Sequence, residues 1–197
     1  MKIAFLAFEH FEELDLVGPW EVFTMAAAMD RPDLSNVIVS PDGAPLRASK
    51  GLEIVPQHGF GDMPQPDILL VPGGRGVDPL LQDDAVLGWI QATARHCTWV
   101  TSVCSGALLL QAAGLVKGRR ITTHWRRIQQ SRELGDVGEV LEGVRYVRDG
   151  NVVTAAGVSA GIDMALWLVG ELYGARFARQ VQHNIEYYPA PPYAAET

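Results

Sequence analysis

The stretch that most constrains the fold spans residues 98–116, where a β-forming run passes directly into an apolar helix. The run stops at Cys104, and two small residues, Ser105 and Gly106, follow before a leucine-rich helical segment. Small residues after such a corner allow helix and strand to pack closely. The pattern predicts that Cys104 stands on a tight strand-to-helix turn, in the manner of a nucleophile elbow.

The position of Cys104 at this corner affects the ionisation of its thiol. The unpaired N–H groups and the positive end of the helix dipole favour a thiolate, so the position predicts a lowered pKa for Cys104 and a nucleophilic role. The alternative is a structural cysteine buried in the core, because a free cysteine packs as a small hydrophobic residue.

The rest of the chain alternates short apolar runs with helical patterns. A doubly wound, mostly parallel α/β sheet is the architecture that this alternation predicts. An Asp-Gly pair at 149–150 between two β-rich runs adds a hairpin. The strands are expected at residues 2–8, 37–40, 68–71, 98–103, 120–125, 144–148 and 151–155. The helices are expected after Gly18-Pro19, at residues 84–95, after Cys104, and at residues 126–134, 159–173 and 175–185.

Composition limits the function classes. With 197 residues the chain suits one domain, residues 1–197, around one core. A net charge of -7 with only 16 basic residues argues against a nucleic-acid partner. No apolar run of about 18 residues and no signal sequence is present, so neither a membrane partner nor export is expected.

The two cysteines indicate a reducing compartment. Cys97 and Cys104 lie near opposite ends of one predicted strand, too far apart to bridge. We therefore expect free thiols in a reducing cytoplasm.

Loops that follow parallel strands meet at one edge of the sheet, and three candidate features meet there. Cys104 is the candidate nucleophile. The amides of Gly73, Gly74 and Ser105 are candidates to hold a developing negative charge. Asp15, in the loop after the first strand, is the candidate general acid and base.

Each of these assignments has an ordinary structural alternative. A Gly-Gly pair after a strand is often only a turn, and Asp15 belongs to an acidic run that can be simply solvated. Its position between Leu14 and Leu16 favours partial burial, which would raise the Asp15 pKa towards the range useful for proton transfer.

The histidines give a weaker signal. His124, beside Trp125, is a candidate substrate-binding residue, with a packing role as the alternative. His10, His58, His96 and His183 lack ligand spacing, so we expect no metal site. No phosphate-binding or dinucleotide motif is present, and no cofactor is expected.

Six segments of the chain resemble the DJ-1/PfpI superfamily, and within it the match is nearest to the isocyanide hydratases. They cover nearly the whole chain: LDLVGP (14–19), VPGG (71–74), TSVCSGALLLQAAGL (101–115), TTHW (122–125), AGVSAGIDMAL (156–166) and EYYPAPPY (186–193). The resemblance implies a homodimer with a flavodoxin-like fold and a cofactor-free cysteine site. On this mapping Cys104 is the nucleophile and Asp15 the acid/base, where many relatives carry glutamate.

The departures from related patterns also carry information. Peptidase relatives place a histidine directly after the cysteine, whereas this chain has Ser105 there. The region that supplies the histidine of a Cys-His-Glu triad in class I amidotransferases reads GVSAG at 157–161, so Ser159 is at most a candidate for contact with substrate.

The expected reaction is hydration of a small-molecule isocyanide to an N-substituted formamide. Two alternatives use the same cysteine. One is a DJ-1-like glyoxalase or oxidative-stress protein, in which Cys104 is oxidised. The other is a ligand-sensing module related to the amino-terminal half of AraC-type regulators, although this chain ends at Thr197 without a basic helical pair for DNA.

Overall fold

In a computed structural model, which describes residues 1–189, apolar runs form the strands of a central sheet. Residues 3–6 and 68–71 are buried completely because helices cover both faces of the sheet. These two runs lie side by side at the middle of the sheet. One hydrophobic core joins the sheet to the helices packed on it.

The elements follow one another in an alternating order. The strands are β1 (Lys2–Leu6), β2 (Ser35–Ser40), β3 (Leu46–Arg47), β4 (Glu53–Ile54), β5 (His58–Gly59), β6 (Ile68–Val71), β7 (Trp99–Val103), β8 (Arg120–Ile121), β9 (Glu139–Val140), β10 (Tyr146–Asp149) and β11 (Val152–Ala155). The helices are α1 (Glu13–Asp30), α2 (Val77–Leu80), α3 (Asp84–Ala94), α4 (Gly106–Ala112), α5 (Ile128–Leu134), α6 (Ala160–Tyr173) and α7 (Ala175–Asn184), and a 3₁₀ turn spans Trp125–Arg127.

The main sheet has the strand order β10-β11-β7-β6-β1-β2-β5. Its strands pair in parallel except for β10, which is antiparallel to β11. The five strands β2, β1, β6, β7 and β11 reproduce the flavodoxin-like order, in which the chain reverses direction across the sheet between β1 and β6. The predicted flavodoxin-like, mostly parallel fold is therefore confirmed.

The short strands and helices agree less closely with the predictions from sequence. The hairpin at the Asp-Gly pair forms as β10 and β11, and β3 pairs with β4 in a second antiparallel pair after β2. Neither α2 nor β9, which pairs with β8, was predicted from the sequence. Both elements are very short, so they depend on long-range contacts rather than on local pattern.

The first helix begins earlier than predicted. It starts at Glu13, so Asp15 lies in its first turn rather than in a loop, and Pro19 is inside the helix. The prediction took Pro19 for a first-turn residue; instead Pro19 packs beside Gly161 of α6, and this tertiary contact helps to accommodate it within the helix.

Two further findings concern the chain as a whole. Among residues 1–189, no helix combines the length and the apolar character needed to cross a bilayer. The end of the EYYPAPPY motif, from Ala190 to Tyr193, lies outside the described residues.

Candidate active site

Cys104 occupies the corner between β7 and α4. Its backbone is left-handed, with φ of +57°, a conformation that an L-residue adopts only when its surroundings hold it. The amide of Cys104 donates to the carbonyls of Ala155 (3.1 Å) and Ala156 (2.9 Å). The hydroxyl of Thr123 donates to the Cys104 carbonyl at 2.7 Å. These contacts from β11 and the loop after β8 fix the corner.

Glycine is required where the loop after β6 passes this corner. A Cβ on Gly73 would lie 2.5 Å from the Ser105 nitrogen and 2.9 Å from the Cys104 Cβ. A Cβ on Gly106 would lie 2.2 Å from the Val71 carbonyl oxygen. All three distances are too short for a side chain at either position, so the two glycines allow the two loops to close on each other.

Asp15 is buried completely behind the thiol. Its Oδ2 accepts a hydrogen bond from the Gly73 amide at 2.8 Å. Burial raises the Asp15 pKa to about 7, with a smaller raising effect from Glu12, while the Gly73 amide and the nearby Cys104 thiol act in the opposite direction. The carboxyl is therefore divided between its neutral and ionised forms near neutral pH, as a proton-transfer group must be.

The prediction of a lowered pKa for Cys104 is wrong. The side chain is only 8% exposed, and burial, followed by repulsion from Asp15, raises the thiol pKa to about 12. The amides of Ser105 and Val158 do lower it, as expected at a helix N-terminus, but their effect is smaller. The resting form is a neutral thiol beside an acid that can take its proton.

The glycine amides do not form the open anion cradle that was predicted. The Gly73 amide is used by Asp15, and the Gly74 amide donates to the Ser105 hydroxyl at 3.0 Å. Gly73 therefore orients the acid, and Ser105 holds the Gly74 loop. The amide of Ser105 faces the sulfur, in keeping with its effect on the thiol pKa.

Val158 is a site residue that the sequence analysis missed. It follows β11, next to β7 in the sheet, it lines the same cavity as Cys104, and its amide lowers the Cys104 pKa. Its φ of +46° is unusual for a β-branched residue. A signal was available, because GVSAG, like VCSGA, contains a strand-to-helix corner with small residues.

The two weaker candidates lie in different places. His124 lines the cavity of about 360 Å³ that contains Cys104, and also a neighbouring cavity of about 410 Å³. Its Nδ1 accepts from the Arg126 amide at 3.2 Å, and burial lowers its pKa, which keeps the ring neutral. Ser159 lines neither cavity; its hydroxyl accepts from Arg145 at 3.0 Å.

The wall of the Cys104 cavity is more highly charged than the sequence suggested. Two carboxylates and three arginines line it: Glu12, Asp78, Arg75, Arg126 and Arg127. Residues 1–189 contain no group of three or more histidine, cysteine, aspartate or glutamate side chains arranged to hold a metal ion.

Comparisons with known proteins identify a family that the chain matches in sequence and in fold. A model of the DJ-1/PfpI family matches residues 1–171. The chain is 42% identical over 193 residues to an isonitrile hydratase of Pseudomonas putida, which covers 98% of this chain and 81% of the relative. A transcriptional regulator of Pseudomonas aeruginosa, GbdR, is 29% identical over 188 residues, but the match spans 94% of this chain and only 50% of the regulator. The crystal structure of a THiJ/PfpI family protein from Pseudomonas syringae superposes with a TM-score of 0.90 at 35% identity, covering 100% of this chain and 78% of that one.

Proposed function

The chain belongs to the DJ-1/PfpI family, and from that premise we propose that it is an enzyme that hydrates isonitriles to N-substituted formamides. Cys104 is the nucleophile and Asp15 the general acid and base in this proposal. The observation that carries it is the pair itself: a thiol on a strained corner, facing a cavity, with a buried carboxyl behind it whose pKa is raised to about 7.

The first step joins the thiol to the isonitrile. The terminal carbon of R–N≡C forms a bond with the Cys104 sulfur. The thiol proton passes to Asp15, which delivers it to the same carbon, and the product is a thioimidate, S–CH=N–R. A thiol with a raised pKa reacts only if its proton has an acceptor, and Asp15 is the acceptor within reach.

The second step adds water. Asp15 takes a proton from the water that attacks the thioimidate carbon and passes it to the nitrogen, which gives S–CH(OH)–NH–R. The carbon–sulfur bond then breaks, the proton of the hydroxyl group passes to the sulfur, and R–NH–CHO leaves. The sum is one isonitrile and one water consumed for each formamide, with Cys104 and Asp15 returned to their starting forms.

The alternatives use Cys104 differently. Oxidation sensing requires a thiolate that reacts with peroxide, and the raised thiol pKa works against that form. A glyoxalase would act on an α-oxoaldehyde with the same residues. A sensor module would bind its ligand without turnover.

Quaternary state and location also belong to this proposal. We place the chain as one domain in a homodimer. Helix α1 offers a surface for the dimer interface, since Leu14 and Val17 are exposed apolar residues on it. Both cysteines are free thiols, which fits the reducing cytoplasm predicted from the sequence.

The test is product analysis in isotopically labelled water. With a simple alkyl isonitrile in H₂¹⁸O, we expect the N-alkylformamide to carry ¹⁸O, and the Cys104 peptide of quenched enzyme to gain the mass of one isonitrile. Methylglyoxal is assayed in parallel as the control substrate. Consumption of methylglyoxal with no formamide would overturn the hydratase proposal in favour of the glyoxalase, and binding without turnover of either would favour the sensor.

A further inference from the structure

The charges on the wall of the Cys104 cavity do not balance. Three arginines, Arg75, Arg126 and Arg127, line it together with two carboxylates, Glu12 and Asp78. The chain as a whole has a net charge of -7, so an excess of positive charge at this cavity runs against the overall composition. Which of these charges is available to a ligand depends on the partner of each.

Both carboxylates already have cationic partners. Glu12 forms an ion pair with the Lys50 ammonium, which approaches it from outside the cavity lining. Asp78 Oδ2 lies 2.7 Å from Arg127 Nη2, and this contact lowers the Asp78 pKa. Asp78 and Arg127 neutralise each other, whereas Glu12 shares the Lys50 ammonium with Glu13, whose Oε2 lies 3.7 Å from the Lys50 Nζ.

The other two arginines have no such partner. Arg75 donates to the carbonyl oxygen of Ser49, a neutral group. The Arg126 guanidinium lies over the ring of Trp125, 4.7 Å from its centroid. Within residues 1–189, neither guanidinium forms an ion pair with a carboxylate. Two positive charges therefore face the cavity without compensation.

A neighbouring group responds to this positive charge. His124 lines the same cavity, and its pKa is lowered first by burial and then by the positive charges of Arg126 and Arg127. The cavity thus presents two uncompensated guanidiniums and a neutral imidazole around the nucleophilic sulfur, an arrangement that suits a ligand with a negative charge at the end away from Cys104.

We propose that the substrate of this enzyme is an isocyano-carboxylate, an isonitrile whose nitrogen substituent carries a carboxylate. Arg126 and Arg75 bind the carboxylate while the isonitrile carbon reaches the Cys104 sulfur. The inference rests on the proposed function and narrows it to one substrate class. Arg126 is the specificity-determining residue, because its guanidinium packs on the Trp125 ring and is not neutralised by a carboxylate.

The first arm of the test does not depend on hydratase activity. Iodoacetate and iodoacetamide differ in charge but little in size, and in a Cys97→Ala background both label only Cys104. We expect the iodoacetate-to-iodoacetamide rate ratio at Cys104 to exceed that of N-acetylcysteine by at least about fivefold at low salt. The excess should shrink in about 1 M sodium chloride, where charges are screened beyond about 3 Å.

The second arm measures turnover with a matched pair of substrates. Isocyanoacetate and isocyanoacetamide differ in the same way as the alkylating reagents, and we expect the ratio of their kcat/KM values to favour the carboxylate by at least about fivefold. The variant Arg126→Gln should lower both the alkylation ratio and the turnover ratio several-fold. The control is Arg95→Gln, an equal change of charge at the exposed end of α3, away from the cavity lining, which should alter neither ratio.

The outcomes separate this inference from the function on which it rests. If neither isonitrile is hydrated, the proposed function fails, and the alkylation arm still reports the charge of the cavity. If both are hydrated at equal kcat/KM and Arg126→Gln changes neither ratio, the isocyano-carboxylate assignment is overturned while the hydratase stands.

Discussion

The two cysteines of this protein are alike in burial and in thiol pKa but differ in their surroundings. Cys97 and Cys104 lie before and after the same strand, both are 8% exposed, and burial raises the pKa of each to about 12. The Cys97 thiol donates to the carbonyls of Thr93 (3.3 Å) and Pro66 (3.6 Å), inside the core. Cys104 has a left-handed backbone, a cavity in front of it and Asp15 behind it.

The comparison shows that burial and pKa do not identify the nucleophile here. What distinguishes Cys104 is a neighbouring carboxyl group, Asp15, that can accept a proton, and space for a substrate. Cys97 has carbonyl partners that can accept a hydrogen bond but cannot take up a proton. Four predictions test whether this difference, and not thiol chemistry alone, carries the function.

The largest effect on activity is expected when each cysteine in turn is replaced by alanine. Cys104→Ala should lower formamide production by at least about 10⁴-fold, because the group that bonds to the substrate is lost. Cys97→Ala, the matched control at the other end of β7, should keep wild-type turnover. Both are measured as kcat/KM with one alkyl isonitrile, and comparable activity of the two variants would remove the basis for the comparison.

The second effect concerns the proton acceptor. Asp15→Asn should lower kcat by about 10²- to 10⁴-fold, because the thiol then has no group to take its proton. In the wild type, kcat/KM should rise with pH up to about 7, as Asp15 ionises, and then level off. A flat profile between pH 5 and 8 would argue that another group accepts the proton.

The substitution Asp15→Asn should also raise the free energy of unfolding at pH 8. Because the folded-state pKa of Asp15 is raised from 3.8 to about 7, the folded state binds more protons than the unfolded state in that interval. The free energy of unfolding therefore falls as pH rises through it, by up to about 4 kcal/mol. The Asp15→Asn variant does not undergo this loss. Its free energy of unfolding, measured by urea denaturation, should exceed that of the wild type at pH 8 and equal it near pH 4.

The smallest effect comes from two glycines, Gly73 beside the Cys104 corner and Gly88 inside α3. Gly73→Ala places a methyl group 2.5 Å from the Ser105 nitrogen and should cost about 1–3 kcal/mol of stability, with a loss of activity as the corner shifts. Gly88→Ala is the control, since it lies inside α3 with nothing within 4 Å of the new methyl group. It should add about 0.5–1 kcal/mol. Equal thermal stabilities for the two variants would show that the Cys104 corner tolerates movement.

Much of the fold was accessible from sequence because its signals are local. The apolar run at 68–71 and the helix at 84–95 were placed to within one residue, and the alternation of strands and helices predicted the parallel sheet. Cys104 was found for the same reason, since strand, corner and helix are contiguous in the chain. Asp15 was placed at the correct edge of the sheet but in a loop, because Glu12 provides no side-chain cap to mark the start of α1.

The sequence by itself determined the order of the elements, the edge of the sheet where the site forms and the residue types gathered there. Only the tertiary structure decided how those residues act, because the decisive contacts join distant parts of the chain. The Gly73 amide is bound by Asp15, 58 residues away, instead of facing a substrate. The thiol pKa is raised because several elements bury it, and the charge of the cavity depends on which arginines find a carboxylate. Burial and pairing are properties of the packed molecule, and no local pattern encodes them.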